Sequence, residues 1–155
     1  MRPLILLTIG AAAILGGVAT GAAFAPEPTL KEITLQRTAC FGTCPVYTLT
    51  LRADGTAIYR GEAHVERKGA YRGTFWGRDL VRLRDVLTRV NAAKWKPDYA
   101  LGVTDQASQI LTIVTEKGRK TVREYGSSGP ADLWTVQTLV DGIGSRVRDW
   151  KPVAK

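Results

Sequence analysis

The 155-residue chain contains a single histidine and only two cysteines, and this scarcity removes most metal chemistry at the outset. A closed zinc site takes four ligands, whereas Cys40, Cys44 and His64 make three. Carboxylates are present but scattered, so their spacing proposes no acid–base pair. Gly126-Ser127-Ser128-Gly129 lacks the spacing of a nucleophile elbow and reads as a loop. No aromatic-basic motif accompanies the Lys and Arg residues, which argues against nucleic acid as a partner. No cysteine lies near the end of the N-terminal apolar stretch, so lipidation there is not expected. Between Arg2 and Glu27 charge is missing altogether.

What fills that uncharged stretch is apolar or small. Leu4 to Ile9 has the character of a signal h-region, continued from Ala11 to Val18. Ala23-Phe24-Ala25 has the form of a cleavage site, but Pro26 follows it and offers no N–H to a protease. Cleavage after Ala22 or Ala23 fits equally well. Residues 1–25 therefore read as a signal peptide, with an uncleaved anchor over 3–25 as the other reading, since about 20 apolar residues span a bilayer. Either way the remainder is expected outside the cytoplasm, in the periplasm or secreted, with Arg2 held inside.

Residues 26–31, with prolines at 26 and 28, read as a linker, and 32–150 as one domain large enough for a real core. The formal net charge is +8. Much of the excess falls between Arg60 and Lys96, a balance that suits an anionic partner.

Alternation predicts strands over Ile33–Arg37 and Val46–Arg52. Asp54-Gly55 is a hairpin turn, and Thr56–Arg60 returns as the partner strand. His64–Arg72 predicts a further strand, weaker in pattern and richer in charge. The period then changes. Leu80, Leu83, Leu87 and Val90 recur at helical spacing, with Arg78, Arg82, Arg84 and Arg89 mostly opposite, predicting a helix over 79–93. Lys96–Gln106 reads as a loop, Ser108–Thr115 and Lys120–Tyr125 as a second hairpin, and 131–148 as a second helix. Ser128 is the expected cap of that helix and Pro130 its first-turn residue. The expected fold is α+β: one antiparallel sheet of five to six strands with both helices on one face, a two-layer sandwich. Leu49, Leu51, Leu83, Leu87, Ile113, Val136 and Val140 are its predicted core.

Cys40 and Cys44 lie four apart, a spacing that on a helix leaves Cβ atoms about 5–6 Å apart, too far for a disulfide. A bond needs a non-helical turn, and Gly42 and Pro45 supply one. In an oxidising compartment the pair reads as a structural disulfide pinning the loop between the first two strands. Two alternatives stay open, thiol redox exchange and a copper site formed by Cys40, Cys44 and His64. Asp105, in Thr104-Asp105, is the one loop acid marked as a candidate for binding.

Ile33–Arg37, the run Cys40-Phe41-Gly42-Thr43-Cys44-Pro45-Val46-Tyr47, the Asp54-Gly55 turn, Gly61, Gly69 and Thr104-Asp105 together carry a resemblance. They resemble a bacterial family of exported domains of unknown function whose hallmark is C-F-G-x-C-P-x-Y on the first hairpin. The resemblance spans Leu30 to Val147 and marks Arg37, Phe41, Gly42, Pro45 and Tyr47 as motif residues. Gln106-Ala107-Ser108 departs from the proline-containing form of that family. The resemblance implies an envelope or secreted α+β domain, and it brings neither an assigned activity nor catalytic residues.

The sequence thus reads as a monomeric, exported, non-catalytic accessory domain without a cofactor, whose partner is an envelope protein or an anionic polymer. The alternatives are the thiol or copper protein, and a polyanion or membrane-surface binder using Arg78, Arg82, Arg84 and Arg89.

Overall fold

A computed structural model of the protein describes residues 29–154, so the apolar stretch read as a signal or anchor lies outside the described residues. Strands β1 (Leu30–Arg37), β2 (Val46–Arg52), β3 (Thr56–Ala63) and β4 (Gly69–Thr74) are followed by helix α1 (Gly77–Arg89). A 3-10 turn (Ala92–Lys94) leads to β5 (Asp98–Ala100), β6 (Ser108–Thr115), β7 (Gly118–Tyr125), helix α2 (Ala131–Arg146) and β8 (Lys151–Pro152). All eight strands form one sheet in the order β5-β7-β6-β1-β2-β3-β4-β8. The α+β class stands, but the strand count exceeds the five to six expected. The sheet is also mixed, because β5 runs parallel to β7 while every other pair is antiparallel.

Alternation explains why the sheet has one dry face. Leu35 sits between Leu49 and Leu111 with Val122 beyond, and Ile33 sits between Leu51 and Ile113. All of these are buried, joined by Leu83 of α1 and by Leu133, Val136, Val140 and Ile143 of α2. Each such side chain contributes about 1.5–3 kcal/mol by leaving water. On the other face the same strands present threonines, with Thr34 bonded to Thr50 at 2.9 Å and Thr112 to Thr121 at 3.1 Å. Both helices therefore pack on one face, giving two layers. Of the predicted core only Leu87 is partly rather than fully buried.

Local departures have local causes. Helix α1 stops at Arg89 because Val90 turns extended (ψ 134°), short of the expected Ala93. Ser128 does not cap α2; its hydroxyl donates to the Tyr125 carbonyl, and extended Pro130 takes the cap position. Residues 64–68 form a loop, with His64 at φ 52°, where the sequence read continuous strand. That loop folds back over Gly61, where an added Cβ would lie 1.9 Å from the Arg67 carbonyl oxygen. Leu30 and Lys31, read as linker, already belong to β1, where Leu30 pairs with Thr115 and the register shifts before Glu32. Among the described residues no helix is long and apolar enough to cross a membrane.

Candidate functional site

Arg37 ends β1 and Tyr47 lies near the start of β2, and the antiparallel register sets them opposite each other. Both point toward the helix layer, because each is two residues along its strand from a buried leucine, Leu35 and Leu49. Asp141 descends from α2 between them. Tyr47 Oη donates to Asp141 Oδ1 at 2.5 Å, Arg37 Nε donates to Oδ2 at 3.1 Å, and Arg37 Nη2 reaches the same oxygen. Both carboxylate oxygens are thus occupied. Burial, reinforced by the hydrogen bond and charge of Asp141, pushes the Tyr47 phenol well above the ordinary tyrosine range. Burial would lower Arg37, but its bond and ion pair with Asp141 outweigh that and raise it.

These three groups form one wall of a cleft of about 430 Å3, completed by Pro45, Tyr59, His64, Arg67 and Trp150. Its floor is aromatic: Tyr47 stacks on Tyr59 with centroids 5.5 Å apart, and Tyr59 meets Trp150 at 5.8 Å. Burial also raises Tyr59, partly opposed by the positive charge of Arg67. The loop that bends tightly over Gly61 carries His64, Glu66 and Arg67 to the rim. The result is a pocket with a stacked apolar floor and charges of both signs at its mouth, which is the make-up of a binding site.

Beside the cleft the chain between β1 and β2 closes with a Cys40–Cys44 disulfide, Cα atoms 5.7 Å apart. Gly42, at φ 147°, makes the turn, with its N–H donating to the Cys40 carbonyl at 3.0 Å. Neighbouring strands hold the same loop. Thr38 N–H donates to the Ser108 carbonyl at 3.0 Å, and Ser108 N–H donates to Thr38 Oγ1 at 2.8 Å. Phe41 N–H donates to the Asp105 carbonyl at 3.2 Å. The Phe41 side chain itself stands 89% exposed, and Leu101 and Val103, on the loop that leads to Asp105, are exposed as well.

The marked residues therefore fall into two groups. Arg37, Phe41, Gly42, Pro45, Tyr47, the two cysteines, Thr104 and Asp105 gather at one end of the sheet. Asp105 reaches the disulfide loop by its backbone, while its carboxylate accepts from Thr104 Oγ1 at 3.0 Å. Arg78, Arg82, Arg84 and Arg89 lie apart from it on α1, all exposed. His64 is at the cleft, exposed, and among the described residues no group of three His, Cys, Asp or Glu is placed to hold a metal ion. Sequence reasoning missed Asp141, Tyr59 and Trp150. The available signal was Asp141 itself, an acid directly after Val140 on the apolar side of a helix, which needs a cation such as Arg37.

Fold and site together define a two-layer α+β domain with a disulfide-pinned loop and a neighbouring aromatic cleft. The chain belongs to the family described as a domain of unknown function, DUF6438, which matches residues 31–144. That span holds Arg37, the disulfide loop, Tyr47 and Asp141, and ends before Trp150. No curated protein matches the chain.

Proposed function

We propose that the protein is an exported, non-catalytic interaction domain of the bacterial cell envelope, and that it meets a protein partner through its disulfide end. The observation that carries this reading is Phe41. A scattered exposed hydrophobe needs no explanation, but this one rides on a loop held by a disulfide, by Thr38–Ser108 and by the Asp105 carbonyl. A rigid, exposed aromatic loses little freedom when it enters a partner's pocket, which is how anchor residues earn affinity. Leu101 and Val103 extend the apolar contact, and the Tyr47–Tyr59–Trp150 cleft offers a socket beside it. Export is supported by the uncharged stretch before Glu27 and by the disulfide.

A photo-crosslinking side chain at position 41 tests this in intact cells. The expected result is a discrete adduct in the envelope fraction, absent when the crosslinker sits at Thr121 on the open sheet face. Phe41→Asp should abolish co-purification of that adduct partner while leaving the unfolding temperature unchanged. No adduct, or equal adducts from both positions, would remove the disulfide end as the contact.

A further inference from the structure

At the other end of the sheet, α1 begins beside the Gly55 turn, where Phe75 N–H donates to the Gly55 carbonyl at 3.0 Å. The helix stops beside Thr29 and Leu30, where Val90 and Ala92 share a hollow with them. At its start lies a second hollow of about 670 Å3, lined by Trp76, Arg78, Arg146, Arg148 and Asp149. Arg78 comes from the first turn of α1, Arg146 from the last residue of α2 and Arg148 from just beyond it.

Three guanidinium groups line this one hollow, and like charges brought near one another repel. The nearby acids neutralise only one of them, Arg146. Asp149 spends its oxygens on Thr74, accepting the backbone N–H at 3.0 Å and the hydroxyl at 2.7 Å. Asp79 pairs with Arg146 at 2.9 Å. Among the described residues, Arg78 and Arg148 have no carboxylate partner. Arg78 instead lies over the Trp76 ring, 4.2 Å from its centroid.

Two further features share this end. Trp76 is 62% exposed, and Val81, one turn along α1 from Arg78, is 65% exposed. Exposed tryptophan and an aliphatic residue among arginines is the composition of a surface that rests at a lipid–water interface. The chain also joins the domain here, because Thr29 follows the residues that include the apolar stretch 3–25.

We propose that this end of the domain docks on an anionic phospholipid surface, with Arg78, Arg146 and Arg148 taking one headgroup phosphate while Trp76 and Val81 rest at the interface. The guanidinium fork matches phosphate oxygens two at a time. Arg82 and Arg84, exposed along α1 and without a carboxylate partner among the described residues, add attraction that falls off within a Debye length of the bilayer. The site is independent of the disulfide end, which stays free for a partner.

Vesicle co-sedimentation of the full chain, with phosphatidylcholine alone and with phosphatidylglycerol added, isolates the headgroup contribution from that of residues 3–25. Phosphatidylglycerol should tighten binding about tenfold or more. Arg78→Gln with Arg148→Gln should remove most of that increment, while Arg146 stays in place to pair with buried Asp79. Arg60→Gln with Lys68→Gln, the same charge change elsewhere on the surface, should keep it. Equal losses from the two pairs would reduce the effect to net charge and overturn the site. So would the lack of any phosphatidylglycerol preference. Inorganic phosphate that displaces the protein from vesicles at matched ionic strength would assign the hollow to a soluble anion instead.

Discussion

Asp141 carries more of the disulfide end than its place on an apolar helix suggests. It accepts from Tyr47 and Arg37 together, so it ties α2 to both β1 and β2. Removing the hydroxyl in Tyr47→Phe leaves Asp141 with one partner in a half-buried setting and should cost about 1.5–3 kcal/mol in chemical denaturation. The sign of the pH effect follows from the raised phenol. The neutral form is favoured in the folded state, so the contribution is complete below the ordinary tyrosine value of 10.0 and is lost as pH rises through the higher folded value. Alkaline absorbance titration should show one of the five tyrosines ionising last, and Tyr47→Phe should delete that component. If the last component persists in the variant, the Tyr47–Asp141 pair does not hold the phenol neutral.

At the scale of elements, the disulfide loop and the C-terminal tail make separate claims. The ring closed by Cys40–Cys44 is short, so its entropic gain is small, and Cys40→Ser with Cys44→Ser should cost on the order of 2 kcal/mol. Circular dichroism should stay native, because Thr38, Ser108 and the Asp105 carbonyl still hold the loop. Two free thiols in protein from an oxidising compartment, or copper held with His64, would turn the pair to the redox or metal reading. The tail depends on Asp149. The Thr74 backbone N–H and then its hydroxyl hold this carboxylate below its ordinary value of 3.8. The tether is complete above that value and weakens as pH falls through the depressed one. Hydrogen exchange of residues 149–153 should therefore rise in acid ahead of the core, and Asp149→Asn should remove that pH step.

The strands that the sequence announced are those where alternation runs long enough to register. β1, β2, β6 and β7 pair as the pattern requires. β5 and β8 have three and two residues, and neither their length nor their composition distinguishes them from loop; only pairing with β7 and β4 makes them strands. The site divides in the same way. The cysteine pair is legible from its own spacing, while Arg37 and Tyr47 stand out only through the family motif around it. Asp141 is 104 residues from Arg37, and no local pattern reports so distant a contact.

For the molecule as a whole, β8 has a consequence beyond adding a strand. It covers Tyr71 and Arg72 of β4, and Val153 N–H donates to the Ala70 carbonyl at 2.9 Å just past it. Pro152 brings no N–H of its own, so the last strand is a poor template for another chain. β5 guards the opposite margin with only three residues. A stop codon after Trp150 would keep the Tyr59–Trp150 contact but bare the β4 backbone over Ala70–Arg72. Light scattering of that variant should show association that grows with concentration and with time, while the full chain stays monomeric under the same conditions. A truncated protein that remains monomeric at high concentration would mean that β4 is not a self-pairing strand. The five residues that follow Trp150 would then have no part in keeping the domain soluble.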